Sequence, residues 1–385
     1  MLPCQRQLFD MPRDVTFFNA AAWSPLPVSA VELGQEGAAR KGRPWSIPSG
    51  FDEEQFERAR AAAAGLINAD PGNVALIPSV GYGVSTAAKI VAIPADTRVV
   101  VLDSDHSSPT LEWMSRAEAG RYDISVVTVG DDHDWTSALL DEIARPGAPP
   151  ISMVSISSVH WSDGGAIDLA RIKAAIAGTG ALFLIDATHA AGVMDLDVAA
   201  LDPDFVIFPT YKWLLGPYGR AFLYVAKRHH EGIPLEQTAY GRKRVAAEDH
   251  RYFTDLAYVD NARRFDMGER DWFVSLSVAA HSIELIQSWG VAAVRERLAA
   301  LTRSIADGLN ERGVPVTWLR EDLRAPHILS LGFPRGMPDE FARTLAAENV
   351  YAAPRLGRLR LSPHVYNDEV DCDRLTNVLA NVLRA

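Results

Sequence analysis

The chain has 385 residues, 48% hydrophobic and 23% charged, and a formal net charge of −11, which argues against a general nucleic-acid-binding protein. Its two cysteines, Cys4 and Cys372, are far apart, which argues against a disulfide framework or a metal-ligand cluster. The sequence contains neither an apolar run long enough to span a membrane nor the apolar core of an N-terminal signal peptide. We therefore expect a cytoplasmic protein with no membrane partner.

Helices are predicted first, over residues 28–40 and 53–68. Apolar runs of strand length then alternate with helical patterns. The predicted strands are 74–77, 99–102, 124–129, 151–156, 181–185, 205–208 and 221–225, and the helices between them are 83–93, 110–119, 136–143 and 168–176. Strands that are apolar on both faces and alternate with helices indicate an α/β fold with a mainly parallel seven-stranded sheet covered by helices.

The alternation stops beyond about residue 235. Residues 236–271 are polar and predict a long irregular connection, which is usually functional at that length. Helices are predicted over 274–289 and 292–311, and short strands over 314–319, 327–332 and 359–362. We expect a large α/β domain over residues 15–265, and a smaller α+β domain formed by residues 1–14 and 266–385.

Five predicted strands end in polar or glycine-rich segments, at the edge of a parallel sheet where ligands usually bind. These segments are residues 78–83, 103–108, 157–161, 186–189 and 209–212. Five such strand ends are hard to explain as ordinary turns.

Lys212 lies between two predicted core strands and is flanked by Tyr211 and Trp213. An ammonium ion is costly to desolvate in such a place, which favours a neutral amine or a Schiff base. The alternative is a lysine whose amine extends from a loop into solvent. This segment alone does not decide between the two.

Other strand ends also have two interpretations. Residues 79–83 suit an anion at a helix N-terminus, although a plain tight turn explains them equally well. Asp186 could cap the next helix or bind a protonated heterocyclic nitrogen. His106 and His189 are each more often packing or loop residues than catalytic ones when they occur singly. Their combination with Lys212 on one sheet is much less ordinary.

Taken together, the segments 105–113, 186–192, 210–219 and 360–367 resemble the fold-type I pyridoxal-phosphate-dependent enzymes, and within them the class V aminotransferase/cysteine desulfurase superfamily. The resemblance covers most of the chain. It implies pyridoxal 5'-phosphate as the cofactor, an amino acid as the substrate and a homodimer as the assembly.

The resemblance also implies roles for individual residues. Lys212 would form the Schiff base, Asp186 would pair with the pyridine nitrogen, and His106 would stack on the cofactor ring as a third catalytic residue. Arg360, with Arg355, would bind the substrate carboxylate. The implied cofactor-binding residues are Ser79, Val80, Gly81, Tyr82, His106, His160, Asp186, His189, Thr210, Tyr211 and Lys212.

This sequence departs from the family pattern at several positions. His189 stands where relatives usually carry Gln, and Trp161 stands near the position of an Asn, which His160 or His189 could replace. Glu269 stands near a Thr that contacts phosphate in relatives, a role that a carboxylate would oppose. No cysteine lies between residues 351 and 360, where desulfurases carry their nucleophile.

These features favour transamination through a Lys212 Schiff base. A carbon–sulfur lyase or an amino-acid epimerase uses the same cofactor set and remains an alternative. A non-catalytic protein that binds the cofactor is a further alternative, which the presence of Lys212 and Asp186 disfavours.

Overall fold

A computed structural model of the chain describes residues 2–131, 133–243 and 256–384. Its strands, in chain order, are β1 (Thr16–Phe17), β2 (Val74–Ile77), β3 (Arg98–Leu102), β4 (Asp123–Val127), β5 (Ile151–Ser157), β6 (Leu182–Asp186), β7 (Phe205–Pro209), β8 (Ala221–Val225), β9 (Leu329–Leu331), β10 (Val350–Tyr351), β11 (Ala353–Arg355) and β12 (Arg358–Leu361). Its α-helices are α1 (Val28–Lys41), α2 (Phe51–Leu66), α3 (Val80–Ile90), α4 (Ser107–Gly120), α5 (Trp135–Ile143), α6 (Leu169–Ile176), α7 (Val198–Leu201), α8 (Ser275–Trp289), α9 (Val291–Glu311), α10 (Phe341–Ala347) and α11 (Glu369–Arg384). Short 3-10 helices are found at Arg6–Leu8, Pro44–Ser46, Pro71–Asn73, Lys227–His229, Ala239–Gly241 and Ala262–Phe265.

Seven of these strands form the large sheet, in the order β2-β8-β7-β6-β5-β3-β4. β8 is antiparallel to both of its neighbours, and the remaining neighbouring pairs are parallel. Most strands of this sheet are buried along their whole length, as expected for a sheet covered by helices. The predicted mainly parallel seven-stranded sheet is confirmed.

Side-chain caps set the beginnings of several helices after these strands. Ser79 accepts a hydrogen bond from the Tyr82 amide, and α3 therefore begins at Val80, three residues before the predicted start. Asp134 and Asp168 cap α5 and α6 in the same way. Residues 80–82, which precede the predicted start of the helix, thus lie in the first turn of α3.

The C-terminal part contains a three-stranded antiparallel sheet in the order β11-β12-β9, and β1 pairs in parallel with β10. The prediction of a strand over residues 314–319 is wrong. Only one isolated bridge forms there, between Thr317 and Gly332. Pro315 has no N–H to donate to a ladder, which disfavours a continuous strand.

The division into two domains stays a prediction, but contacts bear on its boundaries. The Gln5 amide donates to the Val365 carbonyl at 2.8 Å, and so the N-terminal residues pack on the C-terminal part. Helix α8, in contrast, packs on α1 and α2 of the N-terminal part.

Part of the predicted connection over 236–271 falls on residues 244–255, which lie outside the described residues. Its described flanks contain two of the 3-10 helices, Ala239–Gly241 and Ala262–Phe265. Within the described part of the chain, no helix is both long enough and apolar enough to cross a bilayer.

A buried ion cluster joins the end of this connection to the large sheet. Both oxygens of Asp266 accept hydrogen bonds from Arg60, at 3.0 and 2.8 Å. The Leu76 amide of β2 donates to the same carboxylate at 2.8 Å, and Arg270 donates at 2.5 Å. The cluster anchors β2, the strand that leads into α3.

We expect Asp266→Ala to lower the free energy of unfolding by about 3–5 kcal/mol, because it leaves the buried Arg60 without its main counter-ion. Urea denaturation of the variant and of the unaltered protein measures this difference. Glu340→Ala, which breaks an exposed ion pair with Arg343, is the control and should cost less than about 1 kcal/mol. Equal losses in the free energy of unfolding of the two variants would contradict the stabilising role of Asp266.

Candidate active site

The five polar strand ends meet around one cavity of about 350 Å³ at the carboxyl edge of the sheet. This volume lies within the usual range for small-ligand pockets. The cavity is lined by Pro78, Ser79, Val80, Gly81, His106, Ser108, Ser157, Trp161, Asp186, Thr188, His189, Pro209, Tyr211, Lys212, Tyr218 and Gly219.

Lys212 lies in the loop between the antiparallel strands β7 and β8. This loop is closed by the Thr210 amide, which donates to the Arg220 carbonyl at 3.0 Å, and by the Gly216 amide, which donates to the Thr210 carbonyl at 2.9 Å. Any Cβ at residue 216 would lie 2.6 Å from the Thr210 Cβ, so the close approach requires glycine.

The Lys212 side chain is only 6% exposed, which excludes a lysine whose amine extends into solvent. Burial, assisted by the nearby positive charge of Arg360, lowers the pKa of Lys212 to about 7. Its Nζ lies 3.3 Å from His189 Nε2. Near neutral pH, a large fraction of Lys212 is therefore the nucleophilic free amine.

Asp186 is the last residue of β6, and its Oδ1 accepts a hydrogen bond from the Thr188 amide at 2.9 Å. The interpretation that it caps the next helix is wrong, because α7 begins at Val198 and is capped by Asp197. Asp186 instead presents a buried carboxylate to the cavity.

A second carboxylate, Asp105, lies near Asp186 and was not predicted from the sequence. Its Oδ1 accepts from the Ser157 hydroxyl at 2.7 Å, and its Oδ2 accepts from the Ser157 amide at 3.1 Å. Burial raises the pKa of Asp105 to about 6, and the negative charge of Asp186 acts in the same direction. The sequence signal that could have identified Asp105 as a site residue is its position next to His106 at the end of a predicted strand.

One wall of the cavity contains His106 and Trp161, whose rings meet edge to face with their centres 6.3 Å apart. The indole of Trp161 donates to the Ser104 carbonyl at 2.7 Å and is thereby fixed. Trp161, which departs from the family pattern, thus lies where it shapes the cavity.

The first turn of α3 forms another wall, through Val80 and Gly81 next to the capping residue Ser79. A Cβ built on Gly81 would find no atom closer than the Ser108 Oγ at 4.0 Å, so the backbone faces open space. The amides of a helix N-terminus in open space suit an anionic group such as a phosphate.

Three predicted cofactor-binding residues do not line this cavity. Tyr82 hydrogen-bonds with Glu236, and burial raises the pKa of its phenol. The Thr210 hydroxyl donates to the Pro217 carbonyl at 2.6 Å. The His160 Nδ1 lies 3.1 Å from Asp163, and its Nε2 lies 3.2 Å from the Asp103 carbonyl. The side chains of these three residues are instead hydrogen-bonded to other parts of the protein.

Arg360 lies on β12, behind the wall that Trp161 forms, and donates to the Trp161 carbonyl at 2.5 Å. It is 1% exposed, and its Nε is buried without a hydrogen-bond partner among the residues that the structure describes. Burial and the charge of Arg355 lower the pKa of Arg360 to about 9. Arg355, on β11, is half-buried and donates to the Pro354 carbonyl at 2.7 Å. Neither arginine lines the cavity itself.

Comparisons with known proteins identify the family of this chain. The sequence profile described as "Aminotransferase class-V" matches residues 26–373. The uncharacterized aminotransferase YcbU of Bacillus subtilis is 28% identical, over 94% of this chain and 93% of that protein. Isopenicillin N epimerase of Amycolatopsis lactamdurans is 26% identical, over 97% of this chain and 96% of that protein.

A solved structure has the same fold. It is a C-DES mutant with glycine covalently linked to the PLP cofactor, with a TM-score of 0.86 at 19% identity, covering 98% of this chain and 99% of that one. Other relatives carry the names probable cysteine desulfurase and kynureninase. The names of the relatives thus span several reactions.

The fold and the profile define a pyridoxal-phosphate-dependent enzyme of fold type I. The chain belongs to the class-V aminotransferase family. Pyridoxal 5'-phosphate is its cofactor, as predicted.

The cavity fits that cofactor chemically. It contains a buried amine that is neutral enough to react with an aldehyde, a carboxylate that suits a pyridinium nitrogen, and a helix N-terminus that suits a phosphate. We propose Lys212, Asp186 and residues 79–81, respectively, as the groups that would serve these three functions.

The pKa of Lys212 predicts how cofactor-free protein regains pyridoxal phosphate. The rate of covalent attachment, followed by absorbance, should rise with pH to a plateau with a midpoint near pH 7, because only the neutral amine reacts. Pyridoxal without its phosphate should give the same midpoint and thereby controls for phosphate ionisation. A rate that still rises through pH 9–10, as for an ordinary lysine, would contradict the prediction.

Proposed function

We propose that this enzyme transaminates an α-amino acid, with Lys212 as the residue that holds the cofactor covalently and transfers a proton at the substrate Cα. The observation that carries the proposal is the buried, low-pKa amine of Lys212 in one cavity with Asp186 and within electrostatic reach of Arg360. Pyridoxal phosphate supplies an electron sink for the carbanion formed at Cα.

Each residue of the site would contribute a distinct function. Asp186 keeps the cofactor nitrogen protonated, because its carboxylate favours the charged pyridinium. His106, which lines the cavity, would provide a wall for the ring of the cofactor. Lys212, as a free amine, would act as a general base and then as a general acid at Cα.

Arg360 is the proposed binding residue for the substrate carboxylate. Its planar guanidinium forms two parallel hydrogen bonds with a carboxylate, which a lysine ammonium cannot do. Arg360 does not line the cavity, and its guanidinium donates to the Trp161 carbonyl, so this role requires the guanidinium to turn toward the substrate. Its buried Nε has no hydrogen-bond partner among the described residues and could be satisfied by the carboxylate. Arg355 adds positive charge beside it.

The positions of the cysteines support transamination over persulfide chemistry. Cys372 lies in α11, and burial raises the pKa of its thiol to about 12. Cys4 donates to the Tyr366 carbonyl at 3.5 Å. Neither residue lines the cavity, and a buried thiol with a high pKa is a poor nucleophile.

A panel of amino acids tests the reaction type. Conversion of the bound cofactor to its pyridoxamine form, with release of the matching keto acid, is the expected result. Pyruvate with sulfide or thiol release would instead identify a carbon–sulfur lyase, and inversion at Cα in deuterated water would identify an epimerase. Either of these outcomes would refute transamination.

We further propose that the enzyme is a cytoplasmic homodimer. Tyr218 lines the cavity yet is 72% exposed, and Trp23 and Trp45 are also exposed, so a partner subunit has apolar surface to cover. Light scattering during size-exclusion chromatography should give the mass of a dimer, and a monomer mass at micromolar concentration would refute the assembly.

A further inference from the structure

Trp213, the residue after Lys212, makes a hydrogen bond that determines which ring nitrogen of His189 carries the proton. Its indole Nε1 lies 3.0 Å from His189 Nδ1, and both side chains are buried. An indole nitrogen donates and never accepts a hydrogen bond. His189 Nδ1 must therefore be unprotonated and must accept.

The proton of a neutral imidazole with an unprotonated Nδ1 is on Nε2. His189 Nε2 lies 3.3 Å from the Lys212 Nζ, so this N–H is directed at the amine. A doubly protonated ring would place an Nδ1–H against the indole N–H.

The charged and titratable groups around His189 also disfavour a positive ring. Burial lowers the pKa of His189 well below its ordinary value, and Lys212, Arg360, His327 and His106 act in the same direction. His189 is therefore a neutral hydrogen-bond donor toward Lys212.

Two histidines from the C-terminal part hold this arrangement in place. His364 donates through Nε2 to the Trp213 carbonyl at 3.1 Å and stacks on the indole, with ring centres 5.7 Å apart. His327 donates through Nε2 to the His189 carbonyl at 2.8 Å and packs edge to face on Trp213, with ring centres 4.4 Å apart. The indole and the imidazole are thus both fixed.

We propose that Trp213 is a positioning residue, whose indole N–H fixes His189 as an Nε2–H donor directed at the Lys212 amine. A donor at this position favours the free amine, which can accept the hydrogen bond, over the ammonium ion, which cannot. When Lys212 exchanges with the substrate amine, the same N–H is available to an acceptor in the cavity. This inference rests on the proposed function of Lys212.

Trp213→Phe tests the proposal, because it removes the indole N–H and retains an aromatic ring. In the holoenzyme labelled with nitrogen-15 histidine, the His189 signals should change from a single Nε2–H tautomer to a mixture, with His189→Gln identifying the signals. The profile of kcat/KM against pH should gain an ionisation on its acid side, since Nδ1 can now take up a proton, although burial and the neighbouring positive charges still hold the pKa of His189 below its ordinary value. One pH unit below that pKa, the neutral fraction and hence kcat/KM fall about tenfold.

A double variant separates the proposed role from a loss of packing. The amide of a glutamine donates without tautomers, and so Trp213→Phe should add no new ionisation in the His189→Gln background. Trp113→Phe is the matched control, because Trp113 is equally buried and its indole donates to the Ser155 hydroxyl at 2.9 Å away from the cavity. It should lower thermal stability comparably and leave the pH profile unchanged.

Two results would overturn the proposal. The first is an unchanged His189 tautomer and pH profile in Trp213→Phe. The second is the same new ionisation with His189 already replaced by glutamine. The tautomer is measured without turnover, so it decides the proposal even where the amino-acid panel refutes transamination.

Discussion

Lys212→Ala is expected to abolish covalent attachment of the cofactor and to lower the transamination rate by on the order of 10²–10⁴-fold or more. The variant loses both the amine that holds the cofactor and the group proposed to transfer the proton at Cα. The absorbance of the purified protein measures attachment, and single-turnover conversion of an amino acid measures the rate.

Lys173→Ala is the control for removal of a lysine. Lys173 lies on α6 and pairs with Asp202, away from the cavity. This variant should retain the cofactor absorbance and the rate. An unaltered absorbance in Lys212→Ala would contradict the assignment of Lys212, and a wild-type protein that does not bind pyridoxal phosphate would refute the whole site.

Arg360→Ala is expected to lower kcat/KM for amino acids roughly thirtyfold to several thousandfold. This factor corresponds to a loss of about 2–5 kcal/mol of transition-state stabilisation. The substrate carboxylate would lose a buried, bidentate partner. Cofactor affinity should change much less, because Lys212, Asp186 and residues 79–81 are retained. Steady-state kinetics and equilibrium cofactor binding measure the two quantities separately.

Two variants sharpen this test. Arg358→Ala removes a neighbouring arginine of the same strand, whose guanidinium donates to the Ser330 carbonyl at 2.8 Å, and should have a small effect on kcat/KM. Arg360→Lys retains the charge without the planar fork and should recover only part of the loss. Equal effects of Arg360→Ala on substrate and cofactor would show that the residue has a general structural role.

The large sheet could be predicted from the sequence because its strands are apolar on both faces. All seven predicted runs correspond to strands of this sheet, within about two residues at each end. The antiparallel direction of β8 was not predicted, since direction depends on the connection rather than on hydrophobicity. The loop that holds Lys212 is too short for a parallel crossover, which is the physical signal for a reversal.

The C-terminal part was harder to predict because its strands are short and irregular. Residues 314–319 have the composition of a strand, but Pro315 interrupts the donors and leaves a single bridge. The strand pair β11 and β12 is formed by only a few residues on either side of Leu356 and Gly357, both with positive φ. Only the second of these strands has an apolar pattern that predicts it.

Some residues of the candidate site could be predicted from the sequence, whereas others could be recognised only from the tertiary structure. Lys212, Asp186 and His106 could be identified because each follows a predicted strand. Asp105 and Ser157 also follow predicted strands, but their role depends on a hydrogen bond between two different strand ends, which only the tertiary structure shows. His160 was predicted at the cofactor, but its bond to Asp163 depends on a turn that the sequence does not reveal.

The contacts of His327 and His364 have a consequence for how this enzyme is made. These two histidines donate hydrogen bonds to the backbone carbonyls of His189 and Trp213. Each carbonyl belongs to a residue that precedes its histidine by more than one hundred positions in the sequence and is therefore synthesised earlier. The large sheet can form while synthesis continues, since domains tend to fold from the N-terminus. The hydrogen bonds that hold the backbone of His189 and Trp213, however, can form only after residues 327 and 364 have been synthesised.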